Sequence, residues 1–204
     1  MFLSAKTPLV AIDIGSHSVK VAQLAGTPGK YELLSFGMLP LENEAVVDGV
    51  IKKEEAVIDA LSSLLKAEKI QTKYAVASVS GEAVIVKKIR VPQMSYAELA
   101  ANINHEAEQY IPFDIDDVSL DFQILGRGAR VEPGLEEEEN EHDKTDKMEI
   151  LLVAVQKEMI DNRVAVLSDV GLRPVIIDLD VFALVNALSN SRDLTQMGTA
   201  ALID

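Results

Sequence analysis

The chain has 204 residues, 48% of them hydrophobic, and contains no cysteine. This length predicts one or two domains that fold without disulfides, and the missing thiols exclude thiolate zinc sites and a cysteine nucleophile. The 33 acidic and 19 basic residues give a net charge of -14, which disfavours direct binding to nucleic acid or anionic lipid. No apolar run is long enough to cross a bilayer and no signal peptide is recognised, so we expect a cytoplasmic location.

The first forty residues predict three strands joined by tight turns. Residues 9–14 form a nearly continuous apolar run, which is typical of a strand buried on both faces. Residues 19–24 alternate loosely between polar and apolar, and the pair Pro28-Gly29 turns the chain into a third strand at residues 30–39.

Helical spacing of apolar residues begins after residue 54 and then alternates with strand patterns. Ser95 and Glu98 have the spacing of a capping box, and Pro112 ends the helix that begins there. The predicted helices cover residues 54–69, 95–111, 157–170 and the segment after Asp180; the remaining predicted strands cover residues 74–79, 84–91, 118–125, 149–155, 175–178 and 200–204.

A candidate phosphate-binding loop follows the first buried strand. Gly15 allows the backbone to turn tightly and to approach a ligand, and successive amides in such a turn attract anions. Asp13 closes an apolar strand, where a hydrated magnesium ion on a nucleotide is one suitable partner. Hydroxyl donors and a cation complete a candidate phosphate and metal cradle, whose residues are Asp13, Gly15, Ser16, Ser18 and Lys20. A plain hairpin turn is the alternative, and His17 by itself is typical of a solvent-facing loop.

The second candidate site is the helix end at Tyr110-Ile111-Pro112-Phe113. Two aromatic residues within four positions are unusual in a chain with 4% aromatics. They predict either an apolar groove edge that receives a partner peptide or a helix end that packs on its own sheet.

Two acidic features remain. Residues 136–143 contain six acids and no base, which predicts a solvated, mobile loop over residues 127–147. Asp178 and Asp180 lie two apart around a strand end, where they are either active-site carboxylates or, for Asp180, a helix cap.

The loop Ala11-Ile12-Asp13-Ile14-Gly15-Ser16 with Lys20 resembles the first phosphate loop of the actin, Hsp70 and sugar-kinase superfamily. Within that superfamily the whole chain is similar to PilM, the actin-like, FtsA-like family of type IV pilus assembly. The specific segments are Val47-Asp48-Gly49-Val50-Ile51, Tyr110-Ile111-Pro112-Phe113 and Gly171-Leu172-Arg173-Pro174.

The resemblance implies an α/β (α+β), ribonuclease H-like fold with an inserted strand-helix-strand-strand subdomain. Residues 1–80 and 173–204 would form the actin-like subdomain and residues 81–172 the insertion. The tetrapeptides at residues 10–13 and 201–204 both end an apolar strand with aspartate. We therefore expect the chain to be the N-terminal half of a longer protein, with a second half starting at residues 200–204.

The resemblance also implies a cofactor and a partner. The cofactor would be ATP with Mg²⁺, held in the first half by Asp13, Gly15, Ser16, His17, Ser18 and Lys20, with Asp13 reaching the metal through water. The partner would be the cytoplasmic N-terminal peptide of PilN, a bitopic inner-membrane protein. This peptide would dock near Tyr110, Ile111, Pro112 and Phe113, and membrane contact would be indirect. Other pilus inner-membrane and motor components are further expected partners.

Three functions therefore stay open. The first is a nucleotide-binding pilus scaffold with at most slow ATP hydrolysis, whose 204-residue part binds nucleotide weakly or not at all. The second is a GspL-like interaction domain of a secretion system without nucleotide binding. The third is a sugar kinase of the same superfamily.

Overall fold

A computed structural model describes residues 8–27, 29–127 and 147–191. The elements are β1 (Val10–Ile14), β2 (Ser18–Thr27), β3 (Lys30–Pro40), β4 (Val46–Val47), β5 (Val50–Ile51), α1 (Glu54–Ala67), β6 (Tyr74–Val79), β7 (Val84–Pro92), α2 (Tyr96–Glu108), a short 3-10 helix (Ile115–Asp117), β8 (Val118–Arg127), β9 (Lys147–Gln156), α3 (Lys157–Asp169), β10 (Arg173–Leu179) and α4 (Asp180–Ser191). The predicted strand at residues 200–204 and the acidic segment at residues 136–143 lie outside the described residues.

The first compact unit comprises residues 1–81 and 159–204. Its five-stranded sheet has the order β10-β6-β1-β2-β3. β1, β6 and β10 are parallel, whereas β2 and β3 continue from β1 as an antiparallel meander. The sheet thus combines the predicted hairpins with crossover connections that contain helices, as the expected α/β fold requires.

One face of this sheet is covered because the helices turn apolar stripes toward it. Val57, Leu61 and Leu64 of α1 and Val166 and Leu167 of α3 share one core with the inward residues of the strands. The strands contribute alternate residues, as the period of two dictates; those of β1, β2 and β6 in this core are Val10, Ile12, Ile14, Val19, Val21, Ala75 and Ala77.

The second unit comprises residues 82–158 and is a three-stranded antiparallel sheet, of order β7-β9-β8, with α2. It has the expected strand-helix-strand-strand order. α2 begins with the predicted capping box: the Glu98 amide donates to Ser95 Oγ at 3.3 Å, and the Ser95 amide donates to Glu98 Oε2 at 2.8 Å. Leu99, Ile103 and Ala107 of this helix pack on the sheet.

Two details differ from the sequence-based expectation. The second unit ends at Glu158 rather than at residue 172, because Val166, Leu167 and Leu172 bury their side chains in the core of the first unit. The second difference is a hairpin of two strands, β4 and β5, that the sequence did not predict. Each strand has two residues, which is too short for a detectable alternation of polar and apolar residues.

Candidate functional site

Four polar side chains form a row across the first sheet, near the carboxyl ends of its parallel strands. In the parallel register, Ile12 of β1 pairs with Ala77 of β6, and Ala77 pairs with Ile177 of β10. The residues that follow these three therefore lie side by side across the sheet. Asp178 is paired with Ser78, and Asp13 is paired with Lys20 of the antiparallel neighbour. The resulting order across β10, β6, β1 and β2 is Asp178, Ser78, Asp13 and Lys20.

This polar row lines a cleft of about 430 Å³ on the sheet face opposite the α1 and α3 core. The rest of the lining is largely apolar and includes Phe36, Ile176 and Ala183 of α4. Ligands of open α/β sheets bind outside the carboxyl ends of parallel strands, and an apolar cleft with a few convergent polar groups is typical of such sites. The cleft is therefore the candidate site of the first unit.

Asp13 and Lys20 form an ion pair at one end of the row. The Lys20 Nζ lies 2.7 Å from Asp13 Oδ2, and the two side chains are 42% and 45% exposed. An ion pair with this much exposure remains hydrated, so it contributes little to stability. Both charged groups face solvent in the cleft, where a charged ligand could reach them.

The loop after β1 lies next to this pair. The Gly15 amide donates to the Ser18 carbonyl at 3.0 Å, and the Leu41 amide donates to the His17 carbonyl at 2.8 Å. Ser16 and His17 are exposed, and their amides donate to no group within the described ranges. The loop therefore has two backbone donors without an acceptor in the described ranges, but Gly15, Ser16, His17 and Ser18 are not among the residues that line the cleft.

The backbone at Gly15 does not need a glycine for the tight turn that the sequence predicted. Its φ lies outside the left-handed region, and a Cβ built on it would be 3.5 Å from the Ser18 carbonyl, which is ordinary van der Waals contact. The turn itself therefore tolerates a side chain here. The turn is thus not the reason for a glycine here, and close approach of a ligand to Gly15 stays a prediction.

Arg163 is a residue that the sequence analysis missed. It lies on the core-facing side of α3, is 3% exposed, and its Nη2 donates to the carbonyl of Ile14 at 3.1 Å. Burial lowers its pKa, while the charges of Asp180 and Asp13 act in the opposite direction. The available signal was its spacing four residues after Met159 and three before Val166, which places a charged residue on an apolar helix face.

The predicted peptide-binding segment divides into buried and exposed parts. Ile111 is 7% exposed and belongs to the core of the second unit, and Tyr110 and Phe113 are partly buried against it. Pro112 is exposed, and the Lys87 Nζ lies 5.2 Å from the centroid of the Tyr110 ring. The segment thus packs on its own unit, and only parts of three of its four side chains remain accessible.

The described ranges hold no cluster of three or more histidine, cysteine, aspartate or glutamate residues able to bind a metal ion by themselves. Within the same ranges, each helix is too short or too polar to span a membrane.

Comparison with known proteins identifies the family. The family model described as type IV pilus assembly protein PilM matches residues 11–203. A solved structure, a PilM-PilN type IV pilus biogenesis complex, is 27% identical to the chain and superposes with a TM-score of 0.70 over 86% of it. The cytoplasmic domain of EpsL, an inner-membrane component of the type II secretion system of Vibrio cholerae, is 13% identical, with a TM-score of 0.55 over 86% of the chain.

These likenesses confirm the predicted fold class, a mixed α/β fold of the actin-like type. The chain spans 48% of the length of the first of these solved proteins and 58% of the second.

Proposed function

This chain belongs to the type IV pilus assembly protein PilM family, and we propose that it is part of a cytoplasmic, nucleotide-binding scaffold for pilus assembly. In this proposal the cleft of the first unit binds ATP with Mg²⁺, and the second unit docks the N-terminal peptide of PilN. The row of Asp178, Ser78, Asp13 and Lys20 across the sheet is the observation that carries the nucleotide part.

The residues of the row and the loop fit a magnesium nucleotide. Asp13 is a half-exposed carboxylate at the end of a buried strand, which suits a water-mediated contact to Mg²⁺. Lys20 and the Ser16 and His17 amides supply positive charge and donors for phosphate oxygens. Ser16 and Ser18 add hydroxyl groups, and the apolar part of the cleft matches the largely apolar lining of cofactor sites.

We propose binding with at most slow hydrolysis. Each carboxylate of the cleft already accepts a hydrogen bond: Asp13 from Lys20 at 2.7 Å and Asp178 from the Leu179 amide at 2.8 Å. Each carboxylate keeps a second oxygen that could accept a proton from water, so these bonds do not decide between a scaffold and an enzyme. Membership of a family described by its role in pilus assembly is what favours a scaffold over a sugar kinase.

PilN is the proposed partner because the solved PilM relative is a complex with PilN. The proposed docking surface consists of Tyr110, Pro112 and Phe113, which remain at least partly exposed, while Ile111 supports them from the core. Binding to a bitopic partner would hold the protein at the cytoplasmic face of the inner membrane without direct lipid contact, in keeping with its acidic charge. Other inner-membrane and motor components would then be recruited to the same complex.

Nucleotide binding is tested by thermal unfolding of the full-length protein that carries this sequence, with and without Mg-ATP. Ligand at one hundred times its Kd stabilises a protein by about 2.7 kcal/mol, which raises the midpoint by several degrees. An unchanged midpoint at saturating Mg-ATP would favour an interaction domain of the GspL type. Robust phosphate transfer to a sugar would instead favour a kinase.

Peptide docking is tested by fluorescence anisotropy with a labelled PilN N-terminal peptide. We expect Tyr110→Ala and Phe113→Ala each to weaken binding about tenfold or more, which corresponds to about 1.4 kcal/mol. Tyr96→Ala is the matched control, because Tyr96 is a 64% exposed aromatic residue at the opposite end of α2. No affinity in the wild type, or equal losses in all three variants, would remove this docking surface.

A further inference from the structure

Arg163 occupies a position where an apolar residue would serve packing better. It lies in the buried row of α3, with Met159, Val166 and Leu167, and is the one buried polar or charged residue within the described ranges. Its Nε is buried and has no hydrogen-bond partner there. Because buried charges lose their hydration, replacement by an apolar residue of similar volume is often neutral or stabilising. Core packing alone therefore does not explain the arginine.

The hydrogen bond made by Arg163 points to the loop after β1. Its Nη2 contacts the carbonyl of Ile14, the last residue of β1 and the neighbour of Gly15. The parallel pairing of β1 with β6 ends at Ile12, two residues earlier. The guanidinium thus holds the backbone at the point where that strand pairing has stopped.

The charge of Arg163 also interacts with Asp13, one of the carboxylates that line the cleft. Asp13 and Asp180 both favour its charged form against the effect of burial. In the proposed function the loop binds an anion, and a cation fixed beneath the loop adds to the positive potential that the loop amides create. Arginine suits this role because its guanidinium stays charged and has a rigid donor geometry.

We propose that Arg163 is a positioning residue for the loop at residues 15–18: it anchors the Ile14 carbonyl from the core side and thereby fixes the backbone of the loop that follows. The effect on nucleotide affinity rests on the proposed ATP binding, whereas the anchoring of the loop does not.

The anchoring is tested by amide hydrogen exchange of the 204-residue chain without nucleotide. The reporters are the amides of Gly15 and Leu41, which bond to loop carbonyls, and the amide of Leu61 in α1 is the control. In Arg163→Met we expect the reporters to exchange about tenfold faster or more and Leu61 to be unchanged, since local opening is independent of global unfolding. Arg163→Lys, which keeps the charge but lacks the planar fork, should also accelerate the reporters.

The outcomes separate the proposal from a purely structural role and from the proposed function. Unchanged reporter exchange in both variants overturns the anchoring, and so does an equal acceleration at Leu61. In the full-length protein, Arg163→Met should weaken Mg-ATP binding about tenfold, and unchanged affinity despite a faster-exchanging loop overturns the link to nucleotide. If the wild type binds no Mg-ATP, the proposed function fails, while the exchange result still decides whether Arg163 positions the loop.

Discussion

Lys20 and Asp13 face each other across β1 and β2, with 2.7 Å between the ammonium nitrogen and a carboxylate oxygen. Both side chains are nearly half exposed, so water screens their attraction and their contribution to folding is small. The pair is therefore better placed to bind a charged ligand than to stabilise the sheet. Substituting one of its members should weaken ligand binding and leave the free energy of unfolding nearly unchanged.

Lys20→Ala should weaken Mg-ATP binding to the full-length protein about tenfold or more, because the proposed phosphate site then lacks its lysine cation. The free energy of unfolding should change by less than about 1 kcal/mol. The matched control is Lys53→Ala, which removes a similar exposed pair, Lys53 with Glu42 at 2.9 Å, that does not line the cleft. Calorimetric titration that finds equal losses in both variants would contradict a specific role for Lys20.

Gly15→Ala should leave the fold intact and impair nucleotide binding. The backbone at Gly15 accepts a Cβ without strain or close contact, so the melting temperature should hardly change. Gly49→Ala is the opposite case, because Gly49 has a φ of +78° and its Cβ would lie 2.6 Å from the Ser80 carbonyl. That variant should lose about 1–3 kcal/mol of stability. Wild-type Mg-ATP affinity in Gly15→Ala would show that the ligand does not approach this backbone.

The capping box at the start of α2 should make a pH-dependent contribution to the free energy of unfolding. The Ser95 amide, and secondarily the Ser95 hydroxyl, lower the pKa of Glu98 by hydrogen bonding to its carboxylate. A lowered folded-state pKa stabilises the fold above the carboxyl's unfolded pKa, and the stabilisation is lost as the pH falls through the folded value. Urea unfolding should therefore show Glu98→Gln to be less stable than wild type at pH 7, with the difference shrinking as the pH falls below the ordinary pKa of a glutamate.

Two controls bear on that prediction. Ser95→Ala should lose about 1 kcal/mol, the usual effect of removing an N-cap. Glu108→Gln, at the opposite end of the same helix, should not destabilise at pH 7, because an acid there opposes the helix dipole. A pH-independent difference between wild type and Glu98→Gln would mean that the carboxylate charge is irrelevant.

In the segment after α2, substitution of a core residue should reduce stability much more than substitution of a surface residue. Ile111→Ala should lower the free energy of unfolding by about 2–5 kcal/mol, because it leaves a cavity in the core of the second unit. Pro112→Ala, at an exposed position, should change stability by less than about 0.5 kcal/mol. Chemical denaturation measures both, and a tolerant Ile111 would indicate that this segment does not support the α2 core.

Local features of this protein followed from the sequence alone. The apolar run before Gly15, the helical spacing of Val57, Leu61 and Leu64, and the capping box of Ser95 with Glu98 all predicted their elements correctly. Each of these signals depends on residues within a few positions of one another, where backbone geometry alone sets the pattern. The family resemblance rests on the same kind of local segment.

Only the tertiary structure decided how distant residues combine. Asp13 and Asp178 are 165 positions apart in the chain and reach one cleft because β1, β6 and β10 are parallel neighbours. The same long-range packing buries Arg163 beside the carbonyl of Ile14. It also places the Ile111 side chain in the core of the second unit. The spacing of residues along a chain defines which faces they occupy, but not which other element covers that face, since this depends on contacts between segments far apart in sequence.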